Sequence, residues 1–198
     1  MVYKFFFYIH NNLYFEANIR CSQCEGTAKN GNRCRRRVCI GTPYCFQHLA
    51  SIKKLKIKES TIRNSGKGLF AWDPKNNGIV FKRPRSTRLN NTPGQKIVEY
   101  SGELIDINEL NRRYQQYTAP YSVEINDDTY EDGSIIRGTG SLANHANARN
   151  SNARLEVSRN RIILRATKNI RHNQEILVNY GRSYRFNENT EHKTKYVS

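Results

Sequence analysis

Five cysteines fall between Cys21 and Cys45, and His48 follows within three residues of the last. The run CSQCEGTAKNGNRCRRRVCIGTPYCFQH is rich in Gly, Asn and Thr and poor in core-forming side chains, so it needs a staple to fold. Cys24-x9-Cys34-x10-Cys45-x2-His48 offers three thiolates and one imidazole, a set that suits tetrahedral zinc, with Gly31 and Gly41 at the turns between ligands. Cys21-x2-Cys24 is itself a ligand-like pair. The first ligand is therefore open between Cys24, which is preferred, and Cys21, with Cys39 as a further alternative. Cysteine crowding in a basic chain points to metal before disulfides, and to a reducing intracellular compartment. Zinc here either holds a mini-domain together and touches nothing, or it presents a binding surface. The run Arg35, Arg36, Arg37 beside Cys34 tilts that choice toward phosphate contact.

What must position such residues is limited by length and charge. A chain of 198 residues holds one ordinary domain and a small appendage. With 33 Lys and Arg against 17 Asp and Glu, the formal charge of +16 implies an acidic partner, nucleic acid or a nucleosome surface. No window approaches the roughly 20 apolar residues that a membrane span requires, so no membrane role is expected. The opening MVYKFFFYIHNNLYF lacks a small-residue cleavage site and reads as a strand or packing segment. The composition divides the chain into residues 1–20, apolar and aromatic; 21–50, the Cys/His module; 52–182, a second domain; and 183–198, a tail without cysteine. Residues 74–95 form a basic insertion in that second domain, with Lys82, Arg83, Arg85 and Arg88 suited to nucleic-acid contact or to a solvated loop.

From Ile52 onward, short β-branched and aromatic runs broken by Gly, Pro and Asn predict a mostly β domain with short helices. Asp106 and Glu109 form a capping box, and Ile107, Leu110 and Tyr114 recur on one face of the helix that follows. Tyr121, Val123 and Ile125 alternate ahead of an Asp-rich turn, predicting a hairpin, and a strand is expected at Ile162 to Leu164.

Four strings in this domain carry a resemblance. They are SGKGLFA from Ser65, EYSGE from Glu99, SLANHANARN from Ser141 and QEILVNYGRSY from Gln174. Together, in this order, they resemble the motifs of SET-domain lysine methyltransferases over roughly residues 55–186. The resemblance implies small β-sheets around a pseudoknot, preceded here by the zinc-stapled module. It implies S-adenosylmethionine as cofactor, held by Lys67, Gly68, Leu69, Tyr117, Asn144, His145 and Tyr180. It implies Tyr180 as principal catalytic residue with Tyr100 assisting in orientation, and a substrate channel of Tyr100, Tyr117, Tyr121 and Val178. The Cys/His run in turn resembles small zinc modules appended to plant and viral proteins.

Three departures from the family pattern stand out. Ser141 occupies a position that is commonly Arg, the conserved-type Asn is either Asn150 or Asn152, and no cysteine follows Tyr180, so that Tyr184 and Phe186 are left to close the pocket by packing. The expected function is lysine N-methylation of a histone in the nucleus. The alternatives are a non-catalytic chromatin or DNA-binding scaffold and a methyltransferase for non-histone proteins. The Asn- and Lys-rich composition also suits an AT-rich genome such as that of a giant DNA virus.

Overall fold

The computed structural model describes residues 2–9, 13–38, 42–86, 91–115 and 119–181. Its centre is a five-stranded sheet in the order Lys96–Tyr100, Arg161–Ala166, Ala153–Ser158, Leu177–Val178, Asn144–His145. The middle strand follows from period-two patterning: in RIILRA, Ile162, Leu164 and Ala166 are buried and the residues between them are not. It joins Ala153–Ser158 through a two-residue turn in which Arg159 and Asn160 both have positive φ, 50° and 58°, the geometry that matches strand twist in tight hairpins. Residues Leu55, Leu69, Phe81, Ile97, Ile170, Ile176 and Val178 complete the core against this sheet.

Beside it lies a three-stranded sheet, Glu103–Asp106, Thr129–Asp132, Ser122–Asn126, which contains the expected hairpin with its turn at Asp127 and Asp128. The helix Ile107–Tyr114 starts at Asp106, whose Oδ1 accepts from the Glu109 amide at 2.7 Å. The reciprocal half of the capping box is replaced. Glu109 turns its carboxylate toward Arg112 and Arg113 instead of back to the cap.

The Cys/His module is a two-stranded ribbon, Ser22–Gln23 with Arg37–Val38, followed by the helix Phe46–Lys53. Leu49 of that helix is buried in the core of the second domain, and Tyr44 packs against both cores. Residues Val2–Ile9 and Leu13–Arg20 pair antiparallel. Within the expected basic insertion, Ile79–Phe81 pairs with Ile170–Arg171, so this part of it is built into the fold. The ribbon Arg85–Ser86 with Asn91–Thr92 follows, with Arg85 exposed on it and Lys82 and Arg83 exposed in the link ahead of it. Arg88, Tyr117, Cys39, Gly41, Tyr184 and Phe186 lie outside the described residues.

Candidate functional site

The C-terminal motif runs parallel to two strands at once. Leu177 and Val178 pair with Asn144 and His145 on one side, and Val178 pairs with Ala153 on the other. Since 144–145 and 153 belong to one continuous segment, residues 146–152 pass around the strand they flank, and the two segments are threaded. Asn152 pins the crossing. Its Nδ2 donates to the Glu175 carbonyl at 2.8 Å, its Oδ1 accepts from the Leu177 amide at 2.9 Å, and its own amide donates to the Leu177 carbonyl at 3.0 Å. Asn150 is exposed and Asn152 is buried, so Asn152 takes the structural position that the sequence left open between them.

Glu175 is the second pin. Its buried carboxylate accepts from Ser60 Oγ at 2.8 Å, from the Thr61 amide at 2.7 Å, from Thr61 Oγ1, and from Asn144 Nδ2 at 3.1 Å. Asn144 Nδ2 also donates to the Lys67 carbonyl at 3.1 Å. Gly68 makes this approach feasible, because a Cβ there would lie 2.2 Å from Glu175 Oε1. The glycine motif, the Asn-His pair and Glu175 are thus one assembly, closed by the short pairing of Phe70 with Glu175.

Next to the crossing is a cavity of about 270 Å³ whose wall includes Tyr100, Tyr121, Ser122, Ser141, Val178 and Tyr180. The Tyr180 hydroxyl donates to the Ala143 carbonyl at 2.8 Å, and the Tyr180 amide donates to His145 Nδ1 at 3.2 Å. That second bond places the His145 ring proton on Nε2, and burial lowers the pKa of the imidazole, favouring its neutral form. The His145 and Tyr180 rings lie 5.1 Å apart. Tyr100 donates its hydroxyl to the Tyr121 carbonyl at 2.6 Å. Burial, then the neighbouring Tyr180 and Asp132, push its pKa well above the ordinary phenol value, so it stays protonated. Ser141 donates its hydroxyl to the Gly138 carbonyl at 2.8 Å.

The sequence model of the SET domain matches residues 86–181, which hold the crossing and both tyrosines. Residues 86–181 are thus similar to a SET domain. The family's members are generally protein-lysine methyltransferases. A solved structure of the Chaetomium thermophilum polycomb repressive complex 2 (PRC2) is similar in fold, at 23% identity and a TM-score of 0.50 over 66% of this chain. The chain spans only 15% of that neighbour's length. No curated protein matches the chain.

Of the site residues expected from the sequence, the structure brings Lys67, Gly68, Asn144 and His145 to one side of the crossing and Tyr100, Tyr121, Val178 and Tyr180 to the cavity. Leu69 is buried in the core. What sequence reasoning missed is the support behind Tyr100. Arg113 is buried and bridges Glu103, Glu109 and Asp132 at 2.9, 2.6 and 3.0 Å, while Asp132 also accepts from the Tyr114 hydroxyl and from Ser134. The Asp132-Gly133 pair was the available signal: the Gly102 position is closed to any Cβ by the Asp132 carbonyl at 2.4 Å.

Ahead of the matched region, Cys24, Cys34, Cys45 and His48 place their ligand atoms within 4.8 Å of one another. His48 Nδ1 faces Cys24 Sγ at 3.3 Å and Cys45 Sγ at 3.5 Å, and His48 Nε2 lies 2.9 Å from the Thr27 carbonyl. This is the arrangement of a ligating imidazole whose far nitrogen is held by a backbone acceptor. Burial raises the Cys24 thiol, but the amides of Cys45 and Gly26 donate to its sulfur and bring the net pKa below the ordinary value. The donor set fits a tetrahedral metal ion. Cys21 stands outside the cluster, in a disulfide. Among the described residues, no helix is long and apolar enough to cross a membrane.

Proposed function

We propose that the chain is an S-adenosylmethionine-dependent protein-lysine N-methyltransferase acting on histone lysines, with structural zinc on Cys24, Cys34, Cys45 and His48. The observation that carries this reading is the convergence of Tyr100 and Tyr180 in a cavity beside the threaded crossing. Lys67, Gly68, Asn144 and His145 would hold the cofactor, which supplies a methyl group bonded to a positively charged sulfur. The bare backbone at Gly68 and the clustered amide and carbonyl groups around Asn144 suit a polar ligand of that size.

Methyl transfer is an in-line displacement, so the residues must mainly align the nucleophile and exclude water. Both tyrosine hydroxyls already donate, Tyr180 to Ala143 and Tyr100 to Tyr121. Each therefore presents an oxygen that accepts, and an amine hydrogen-bonded to such oxygens has its lone pair aimed. A lysine amine of pKa about 10.4 must arrive neutral, and the apolar lining of Leu110, Pro120, Val123, Leu155 and Val178 disfavours its charged form. Val178, two residues before Tyr180, has no hydroxyl to retain a water, which leaves room for dimethyl and trimethyl products. Glu124 lines the cavity and favours a basic peptide at its mouth. The exposed Lys82, Arg83 and Arg85 suit contact with nucleosomal DNA, and nuclear action follows from that substrate. The expectation of a viral source gains no support from either comparison.

The test is transfer of radiolabelled methyl from S-adenosylmethionine to nucleosomes and free histones, with Tyr180→Phe as control. Label on a histone that disappears in the variant is the expected result, with mass spectrometry reading the methylation state. Cofactor binding without histone labelling would move the substrate to non-histone proteins. Absence of both would overturn the enzyme reading in favour of a scaffold.

A further inference from the structure

A second cavity, of about 450 Å³, lies between the Cys/His module and the strand Leu55–Glu59, with Cys45 of the metal cluster in its wall. Its walls include Arg36 and Arg37 from the module ribbon, Tyr44 and Phe46 from around Cys45, and Ile57 from the strand Leu55–Glu59. Phe46 is 71% exposed. It does no packing in either core. The Arg36 guanidinium lies 4.7 Å from the centre of its ring, and Lys53 sits 5.3 Å from the ring of Tyr44. The cavity wall therefore carries two aromatic rings, each with a cation beside it.

Two other arginines of the module are occupied differently. Arg33 donates to the carbonyls of Gln23 and Cys24, and Arg37 donates to the carbonyl of Cys21, so both brace the ribbon. Among the described residues, Arg36 has no carboxylate partner, and its guanidinium lies over the Phe46 ring. Residues 21–53 contain Lys29, Arg33, Arg35, Arg36, Arg37 and Lys53 against the single acid Glu25. An excess of cations around a groove with exposed rings is the combination that binds a single nucleic-acid strand: cations follow the phosphates and rings stack on unpaired bases. Duplex DNA offers phosphates but keeps its bases out of reach of such a ring, and an acidic peptide offers charge but no flat face.

We propose that this groove binds a single strand of nucleic acid, with a base stacked on Phe46 and the backbone phosphates held by Arg36 and its neighbours. The site is independent of methyl transfer and would operate in a catalytically silent chain. It rests on side chains that the metal cluster orders, since Cys45 precedes Phe46 and Cys34 precedes the arginine run.

Fluorescence anisotropy of the full chain with labelled oligothymidylate, and with a duplex of matched length, reads this directly. Single strand should bind more tightly than duplex, and Phe46→Ala should weaken single-strand binding about tenfold while changing duplex binding little. Arg36→Glu should weaken both and flatten the dependence on salt. Phe46→Trp should retain binding and report the stack by quenching. Metal content and the circular dichroism of each variant show whether the module is intact. An oligouridylate arm reads whether a ribose hydroxyl is tolerated. Equal binding of single strand and duplex, or a metal-loaded Phe46→Ala protein that binds like the unaltered one, would overturn the proposal.

Discussion

The Cys/His module and the threaded sheet are neighbours held together by opposite means. The module's own buried cluster is Cys24, Cys34, Val38 and Cys45, three of whose four members are metal-ligand candidates. The sheet buries a contiguous set of aliphatic residues, from Leu55 to Val178, and adds pins such as Asn152 and Glu175 that bond across the crossing. A module so poor in apolar surface depends on whatever its four donors hold, whereas the sheet depends on burial and on the completeness of its polar bonds. Leu49 and Tyr44 join the two regimes, because they belong to the module's chain and pack into the sheet's core.

The contrast breaks most completely on metal removal. Stripping the ion with a strong chelator should erase hydrogen-exchange protection over residues 22–38 while the amides of Arg161–Ala166 stay protected; equal loss in both would show that the two regions unfold as one unit. On the sheet's side, Arg113→Ala leaves the fully buried Asp132 without its cation and should cost about 3–5 kcal/mol in denaturant unfolding, with metal affinity unchanged. At the junction, Leu49→Ala should cost about 2–4 kcal/mol and, unlike Arg113→Ala, should also loosen the module, seen as faster loss of metal to a chelator. The smallest effect concerns acid. Bonds from Arg112, together with Arg113, hold Glu109 down from the ordinary 4.5 to about 2. Its folded pKa is depressed, so its contribution is complete above the unfolded pKa and is lost as pH falls from about 4.5 toward 2. The stability gap between the unaltered protein and Glu109→Gln should therefore close over that window. The module, whose thiolates must stay deprotonated to ligate, should lose its metal before the gap closes.

The comparison also explains which parts could be read in advance. Ligand spacing is local, and Cys24, Cys34, Cys45 and His48 were visible as a set, because turns and thiolates dictate such sites within a few dozen residues. Alternation in RIILRA and the cap at Asp106 were legible for the same reason. The choice between Asn150 and Asn152 was not, since it depends on which amide faces a strand some 25 residues later. Arg113 carries no local signal of burial, and only the arrival of Asp132 from the next hairpin makes it a buried charge. The spacing of Cys21 to Cys24 leaves it as an alternative first ligand, and the cluster takes Cys24, the preferred one, while Cys21 stands in a disulfide. The segment Ile79–Phe81 read as part of a loop because its pairing partner, Ile170–Arg171, lies far along the chain.

The threading sets an order of assembly. Asn144 and His145 leave the ribosome before Leu177 and Val178, yet the latter strand must come to lie inside the turn that the former segment and Ala153 make around it. Until Glu175 has emerged, Ser60, Thr61 and Asn144 have no carboxylate to donate to, and until Tyr180 has followed, the cavity lacks the wall that carries it. A chain interrupted just before this strand therefore carries the Asn144-His145 pair without the strand that it and Ala153 enclose.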